Sequence, residues 1–513
     1  MIIQNTLRFA PAPNPFRPLA IRVAAGGALA FALSVPLASA QNPRARAASP
    51  AAPPATNSAP PNATATGGAE TAGPTTLTGE AAPPLRVPPP PQLLPQVTPA
   101  LPQNTKSLIP IGAPLTIDQA VTLGLKYQTN VGIAHQGAVA ASGETQQAES
   151  GLGPSVTAAA EVARTNVNTI GGSSSGFQGS LGTTFSEGLT LHQLVYDFQH
   201  TSSGVDSARH TEAAAQENES TIVKNTTLTI KQDFLTLLED QRLIGVNEAT
   251  VKAQQGNLDE AMATYMAGTA PQADVLQAQT NLAQALLALS TARNNASIAM
   301  ANLNIALGID PRTPLTLADV ATPTSALPDL NSLVAQAFTH RPEVVEARDV
   351  VASNEANLRN KRTNNMPAVV ANGSLGLGTY SFPGNELTET VALDLQWDAF
   401  DYGLTKGLVK QAKANLDSAR LQLQQTELSV GNDVTQAYLN ASNAQQQILT
   451  TASEVANAQE SLRLAEGQYA AGVGIFLVVT TAQAALAQAL ADQVNATYGL
   501  DIALATLDHA VGR

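Results

Sequence analysis

Val195-Tyr196-Asp197-Phe198 and Ala399-Phe400-Asp401-Tyr402 are two copies of one motif, separated by 204 residues. The same offset relates Tyr265-Met266-Ala267-Gly268 to Tyr469-Ala470-Ala471-Gly472. An offset that holds over such a distance indicates an internal duplication. Solenoid repeats are far shorter, so we interpret each copy as a complete half-structure. The sequence therefore predicts one molecule built from two related halves.

Upstream of these motifs the offset changes. Pro154 corresponds to Pro367 at a spacing of 213, so the second copy is nine residues shorter between these prolines and the first motif. We divide the chain into a signal peptide (1–40), a Pro/Ala-rich segment (41–110), a first repeat (111–320) and a second repeat (321–513).

The first region has the features of an export signal. Three arginines precede an apolar run, and Ala38-Ser39-Ala40 supplies small residues for cleavage. The run is short for a transmembrane helix and contains Pro36, which favours a cleaved signal over a membrane anchor. Removal of the three arginines takes the net charge from −13 to −16, which argues against nucleic-acid binding.

The second region holds about half of the chain's 32 prolines. Such a segment favours extended polyproline conformations and cannot bury a core, so we predict a disordered tether. A ligand for a proline-binding partner is the alternative interpretation. The chain has no cysteine, which excludes disulfides, thiolate metal sites and an N-terminal lipid anchor on cysteine.

Each repeat shows the pattern helix, hairpin, long helix, tight turn, helix. In the first repeat a helix with Thr116 as its N-cap is predicted to run to Pro154, and in the second repeat the corresponding helix covers 330–363. Alternating apolar residues then predict two strands in each repeat, joined by turns at 171–176 and 382–385. The runs are long enough to cross a bilayer as tilted strands.

The helices after the hairpins are unusually long. Residues 205–265 are rich in strong helix formers and contain no proline, which predicts roughly 90 Å of helix. Gly268 and Gly472 lie where the long helices must reverse, and glycine readily adopts the left-handed conformation after a helix end. The returning helices, predicted at 272–307 and 476–510, carry small residues suited to close packing.

Four strands in one chain cannot form a closed barrel in lipid, because the open edges would leave backbone groups without partners. Closure therefore requires several copies of the chain. We predict that the aromatic residues at the strand-to-helix junctions form an interfacial girdle. They are Tyr196, Phe198, Trp397, Phe400 and Tyr402. Core aromatics at a sheet end are the alternative interpretation.

These features together resemble the TolC-like outer-membrane efflux proteins over residues 111–513. The resemblance rests on the duplicated pattern and on Tyr265-x-x-Gly268 followed by Asp274-Val275-Leu276-x-Ala278-Gln279, with its second copy from Tyr469 to Gln483. It implies a mainly α fold with a β-barrel part: a homotrimer with a twelve-stranded outer-membrane barrel that continues into a helical periplasmic tunnel. It also implies docking to a periplasmic adaptor and an inner-membrane pump, as the exit duct of a tripartite efflux or type I secretion system.

One departure from the family concerns the periplasmic aperture. Members usually carry aspartates after the second reversing turn, but the matching positions here are Val478 and Thr481. Asp274, after Gly268 in the first repeat, is the only acid that matches a family acid near the tip. We therefore expect a weaker, more apolar constriction than an acidic ring would form.

No catalytic constellation is recognisable in the sequence. None of the six histidines forms an HExxH pair, so we predict no metal site, no cofactor and no enzymatic activity. A secreted coiled-coil structural protein or adhesin is the alternative, because it would also contain long Ala/Gln-rich helices. Such a protein would not need two hairpins of membrane-spanning length. The transported substrate, the identities of the pump and adaptor, and the open or closed state are not readable from the sequence.

Overall fold

The computed structural model describes residues 114–169, 178–320, 327–379 and 386–513. The predicted signal peptide, the Pro/Ala-rich segment and the two hairpin turns lie outside the described residues. The described elements are, in chain order, α1 (Ile117–Tyr127), α2 (Thr129–Ser150), β1 (Ser155–Thr169), β2 (Gln178–Tyr196), α3 (His200–Met266), α4 (Gln272–Ala306), α5 (Leu330–His340), α6 (Pro342–Arg362), β3 (Ala368–Thr379), β4 (Glu386–Gln396), α7 (Leu404–Ala470) and α8 (Phe476–Val511).

The predicted duplicated architecture is confirmed. Each half contains two short helices, a hairpin, a long helix and a returning helix. The long helices α3 and α7 have 67 residues each, which corresponds to about 100 Å. Helices of this length extend far beyond the small sheet, so the described part of the chain has a β end and a long helical part.

The first helix of each repeat differs from the prediction, because it is broken into two. In the second repeat, α5 and α6 meet at Arg341, whose extended backbone reflects the proline at position 342. In the first repeat, α1 and α2 meet at Gln128, which has no proline or glycine beside it. Its side chain donates to the carbonyl of Ile305 at the end of α4, so tertiary contacts hold this break. Thr116 is the predicted N-cap and forms a capping box with Gln119.

The four strands form one antiparallel sheet in the order β1-β2-β3-β4. The pairing of β2 with β3 joins the two repeats, with Leu189 opposite Leu375. Within the described sheet, β1 and β4 each pair along one side alone. The protomer therefore ends in two strand edges.

The helices form a single layer below the sheet. Near the strands the neighbours are α2, α3, α6 and α7, and toward the reversing turns they are α4, α3, α8 and α7. The largest apolar clusters lie in the middle of this layer. One packs α1 against α3 and α4, around Phe234 and Leu303, and the other packs α5 against α7 and α8, around Leu333 and Val434. Six alanines form the small-residue stripes predicted for the returning helices. Five of them are buried, Ala278, Ala285 and Ala292 in α4 and Ala482 and Ala489 in α8, whereas Ala485 is exposed.

Candidate channel wall and periplasmic tip

The strand register gives the sheet two chemically different faces. Residues that share the side of Leu189 are largely apolar and exposed: Val156, Val162, Leu191, Leu375, Leu377, Leu387, Val391, Leu393 and Leu395. Residues of the opposite side are largely polar: Thr157, Glu161, Thr190, His192, Asn372, Ser374, Thr388, Thr390 and Asp394. A sheet with a lipid-facing and a water-facing side has this alternation. We call these the apolar face and the polar face.

All five aromatic residues of the predicted girdle lie at the end of the sheet where the helices begin. Each is exposed, and Tyr402 reaches 93%. The rings of Tyr196 and Phe198 lie edge to face at 4.8 Å between centroids, and those of Phe400 and Tyr402 at 6.2 Å. The structure thus leaves these five residues exposed and does not bury them as core aromatics.

The aspartate inside each junction motif has a structural role that the sequence interpretation missed. Asp197 accepts a hydrogen bond from the backbone N–H of Thr201 at 2.6 Å, and Asp401 accepts one from Thr405 at 2.7 Å. These bonds satisfy free N–H groups at the starts of α3 and α7. Phe198 and Tyr402 both have positive φ, which turns the chain from strand into helix. The presence of the same aspartate in both copies of the motif was the sequence signal that could have identified this role.

The junction predicts a specific dependence on pH. Hydrogen bonds from Thr405, by its side chain and its backbone, and from the N–H of Gly403 lower the pKa of Asp401 below its ordinary value of 3.8. Because the folded pKa is depressed, the stabilisation is present above the ordinary pKa and is lost as the pH falls through the folded pKa. We expect the melting temperature of Asp401→Asn to be lower than that of wild type at pH 7 and to converge on it as the pH falls through the lowered pKa of Asp401.

The control for this prediction is Asp398→Asn, which removes a nearby carboxylate that forms no hydrogen bond within the described residues. Melting curves between pH 2 and pH 7 would measure both variants against wild type. A constant difference between wild type and Asp401→Asn across this range would contradict the assigned role.

Both reversing turns have the predicted glycine geometry. Gly268 and Gly472 have φ values of 74° and 73°, and their N–H groups donate to Tyr265 and Tyr469, respectively. The two turns are therefore equivalent in backbone, as the duplication predicted. They lie at the end of the molecule farthest from the sheet, which we call the tip.

At the tip the second helical pair packs against the first through two aromatic residues. Phe476 is 5% exposed and lies in an apolar cluster with Leu258, Ala261 and Val275 of α3 and α4. Its ring contacts that of Tyr469 at 5.8 Å between centroids. The contact of Phe476 with α3 and α4 joins the two repeats within one protomer, and the sequence interpretation did not identify it.

Asp274 is near this aromatic pair. Burial, followed by the charges of Glu260 and Asp274, raises the pKa of Tyr469. The Tyr469 hydroxyl also forms a hydrogen bond with Thr264. The structure thus brings the acid of the first repeat to the tyrosine of the second, although the two are 195 residues apart in the chain.

Val478 and Thr481 lie on the first turns of α8 and are exposed. The Thr481 hydroxyl donates to the carbonyl of Leu477 at 2.7 Å, so its polar group is satisfied inside its own helix. Neither residue carries a charge. The described side chains therefore place uncharged groups at the positions where a ring of aspartates would require carboxylates.

A cluster of amides links α3 to α8 one to two turns above the aromatic pair. Gln254 and Asn257 are buried, and both donate to the side-chain oxygen of Gln483, while Gln483 donates back to Asn257 at 3.1 Å. A buried amide without these partners would be costly, so the cluster fixes the register between the two helices. Its residues are ordinary helix-face amides in the sequence, and no local pattern identifies them.

No set of three or more His, Asp or Glu side chains within the described ranges is arranged to hold a metal ion. Burial and the nearby charge of Asp240 raise the pKa of Glu239, in the middle of α3, to about 7. None of the helices in the described part of the chain is both long and apolar enough to cross a membrane.

Comparison with known proteins agrees with this architecture. The family model described as outer membrane efflux protein matches the chain twice, at residues 129–309 and 333–513. The outer membrane efflux protein BepC of Brucella suis is 23% identical over 64% of this chain and 73% of its own length. The outer membrane protein TolC of Escherichia coli is 22% identical over 64% of this chain and 69% of its own length.

The crystal structure of the outer membrane protein VceC of Vibrio cholerae has the same fold. It superimposes with a TM-score of 0.70 at 17% identity and covers 77% of this chain and 96% of its own. The family model matches both repeats and thus more than half of the chain. The chain therefore belongs to the outer membrane efflux protein family and is an outer-membrane channel.

Proposed function

We propose that this channel is the exit duct of a tripartite efflux or type I secretion system and works as a homotrimer. Three copies of the four-stranded sheet form a twelve-stranded barrel with the apolar face toward lipid. Three copies of the helical layer continue it as a periplasmic tunnel. The observation that carries the proposal is the four-stranded sheet with one exposed apolar face and two unpaired edges.

The helical layer supports closure by other copies of the chain. On the side of α4 that faces away from α3, exposed apolar residues recur at intervals of eleven and seven: Leu276, Leu287, Ile298 and Ile305. At the other end of the layer, α7 exposes Leu421, Leu428 and Leu439 on the side away from its neighbours. We call these the α4 stripe and the α7 stripe. Exposed stripes of this kind indicate surfaces that pack in an assembly.

In this proposal the tunnel is passive. An inner-membrane pump supplies the energy, and a periplasmic adaptor joins the pump to the tip. The exposed apolar residues Met266, Val473 and Ile475 at the two turns offer a contact surface for the adaptor. The substrate is whatever the pump delivers, whether drug, metal or protein.

Two measurements test the proposal together. Purified full-length protein in lipid bilayers is expected to form discrete conducting channels, and its mass in detergent is expected to correspond to three protomers. Deletion of the gene is expected to abolish export by the partner pump. A monomeric, non-conducting particle would instead favour a secreted structural protein or adhesin.

We also propose that the aperture at the tip is bounded by uncharged residues, among them Val478 and Thr481. Divalent cations added on the tip side should bind weakly there, because oxygen-rich carboxylate sites are the ones that bind such ions. We expect millimolar Ca²⁺ to leave the wild-type conductance nearly unchanged. In the double variant Val478→Asp with Thr481→Asp, the same Ca²⁺ concentration is expected to reduce the conductance by at least about tenfold. Strong block of the wild type would contradict an uncharged aperture.

The turn glycines provide a further test of the tip. A side chain at Gly472 would meet no neighbouring atom within 4 Å, so the cost of Gly472→Val comes from its positive φ, about 1–2 kcal/mol. We expect reduced export and faster proteolysis at the tip, with an intact barrel. Gly467→Val is the control, because Gly467 has equally open space in regular helix. Equal effects of both variants would contradict the role of the turn.

A further inference from the structure

The two repeats differ strongly in charge just below the sheet. The end of α6 and the start of α7 carry four cations that face solvent: Arg362, Lys406, Lys410 and Lys413. The duplication matches them, in the first repeat, to Glu149, Ser202, Asp206 and Arg209. In the first repeat the one cation is neutralised, because Arg209 pairs with Glu149 at 2.8 Å. The basic character therefore belongs to the second repeat alone.

These four cations have no charged partner among the described residues. Across the part of the chain that the structure describes, none of them takes part in an ion pair or a hydrogen bond. The cations Arg359 and Arg420 nearby do pair, with Asp206 and Glu355. Arg362 and Lys413 line a groove of about 320 Å³ between α6 and α7, and the carboxylates Glu355 and Asp417 also line it. A cluster of unpaired cations attracts anionic partners, although the chain as a whole has a net charge of −13. We call it the basic patch.

The hydrogen bonds of the sheet determine the order of the strands as seen from its apolar face. The hydroxyls of Ser155 and Thr184 donate across the β1–β2 boundary to the carbonyls of His192 and Ala163, all polar-face residues. The backbone carbonyls of polar-face residues in β2 therefore point toward β1. Because successive residues of a strand point to alternate neighbours, the carbonyls of apolar-face residues in β2 point toward β3. Consider a strand of L-residues that runs upward, viewed from one face. The backbone carbonyls of the residues whose side chains point at the viewer are directed to the viewer's right. With the helices below, β3 runs upward and β2 lies at its right.

The handedness of α7 then places the basic patch. From the apolar face, α6 lies to the right of α7, and the buried Leu416 faces α6. Seen from the sheet, the right-handed helix α7 turns clockwise as it descends, by 100° for each residue. On the helical wheel, Lys413 lies 60° clockwise from Leu416. Lys413 therefore faces the same side of the helical layer as the apolar face of the sheet. Lys406 and Lys410 lie within 60° of Lys413 on that wheel.

The patch also has the right height. Lys406 is in the first turn of α7, directly after the girdle residues Phe400 and Tyr402, and Lys413 follows about 10 Å farther down. Interfacial aromatic rings lie at the level of the lipid headgroups. The cations therefore extend from the headgroup level into the adjacent water.

We propose that the basic patch binds the phosphate headgroups of anionic phospholipids in the periplasmic leaflet of the outer membrane. Arg362 contributes paired N–H donors to a phosphate, and the three lysines contribute point charges. Basic residues close to a membrane surface bind anionic lipids in this way. The inference rests on the proposed position of the barrel in the bilayer. It fixes the depth and rotation of each protomer through its second repeat.

The test compares lipid retention by the full-length protein. Wild type is purified in detergent containing equal amounts of phosphatidylglycerol and phosphatidylcholine, and bound lipids are counted by native mass spectrometry. We expect about tenfold enrichment of phosphatidylglycerol in wild type. The patch variant replaces Arg362, Lys406, Lys410 and Lys413 by Gln and is expected to lose the enrichment. The control variant replaces Lys126, Lys231, Lys252 and Arg463 by Gln, which removes the same charge far from the girdle, and is expected to retain it.

Equal retention of phosphatidylglycerol by the two variants would overturn the proposal. So would preferential binding of a soluble anionic peptidoglycan fragment at the patch, because this result would assign the patch to the cell wall. Conductance in bilayers is recorded for the same preparations. If wild type forms no conducting channels, the proposed duct is contradicted. If wild type conducts normally but shows no preference for phosphatidylglycerol, only the proposed role of the basic patch is contradicted.

Discussion

Leu287→Glu is expected to prevent assembly of the channel, with at least a hundredfold loss of the oligomer. Leu287 lies at the centre of the α4 stripe and is 68% exposed in the protomer. Burial of a leucine side chain contributes about 1.5–3 kcal/mol. A carboxylate buried without a partner costs several kcal/mol more. Closed symmetry repeats the cost at every interface of the ring.

The matched control is Leu287→Met, which keeps an apolar side chain of similar volume and is expected to assemble normally. The oligomer would be measured by mass in detergent and by heat-dependent mobility in gels. Leu428→Glu, in the α7 stripe, is expected to reproduce the defect. Normal assembly of both Glu variants would show that these stripes do not form the interface between protomers.

Phe476→Ala is expected to open the tip. Phe476 fills an apolar cluster between the two helical pairs, so its truncation costs about 3–5 kcal/mol at that contact. The amide cluster above it then becomes the main contact that fixes α8 against α3 near the tip. We expect a larger and noisier single-channel conductance and greater entry of large hydrophilic antibiotics into cells.

Two controls accompany this prediction. Phe476→Leu keeps most of the apolar volume and is expected to show a small effect. Val473→Ala changes an exposed residue of the same turn and is expected to leave conductance unchanged. Combining Phe476→Ala with Gln483→Leu should increase the conductance further, because the buried amide cluster is then also lost. An unaltered conductance in the combined variant would show that these contacts do not hold the tip.

Much of the fold was predictable because its signals are local. The hairpins, the proline-free long helices and the turn glycines arise from residues close together in the chain, and the duplication is visible because short motifs recur at a constant offset. Four of the five aromatic residues at the junctions were recognisable because they lie in two short repeated motifs. The break at Gln128 was not found, because the contact that accompanies it, with Ile305 at the end of α4, joins residues far apart in the chain. The contact of Phe476 with the first repeat was missed for the same reason.

The sequence by itself determined that this protein is a duplicated chain of strands and long helices whose halves cannot close a barrel alone. Period, proline placement and repeated motifs act over a few residues, so they are legible without a structure. Only the tertiary structure decided which side of each element faces which neighbour. The register of β2 with β3 separates an apolar from a polar face, and the packing of α7 on α6 turns the unpaired lysines to the apolar side. These choices depend on contacts between residues far apart in the chain, which no local pattern contains.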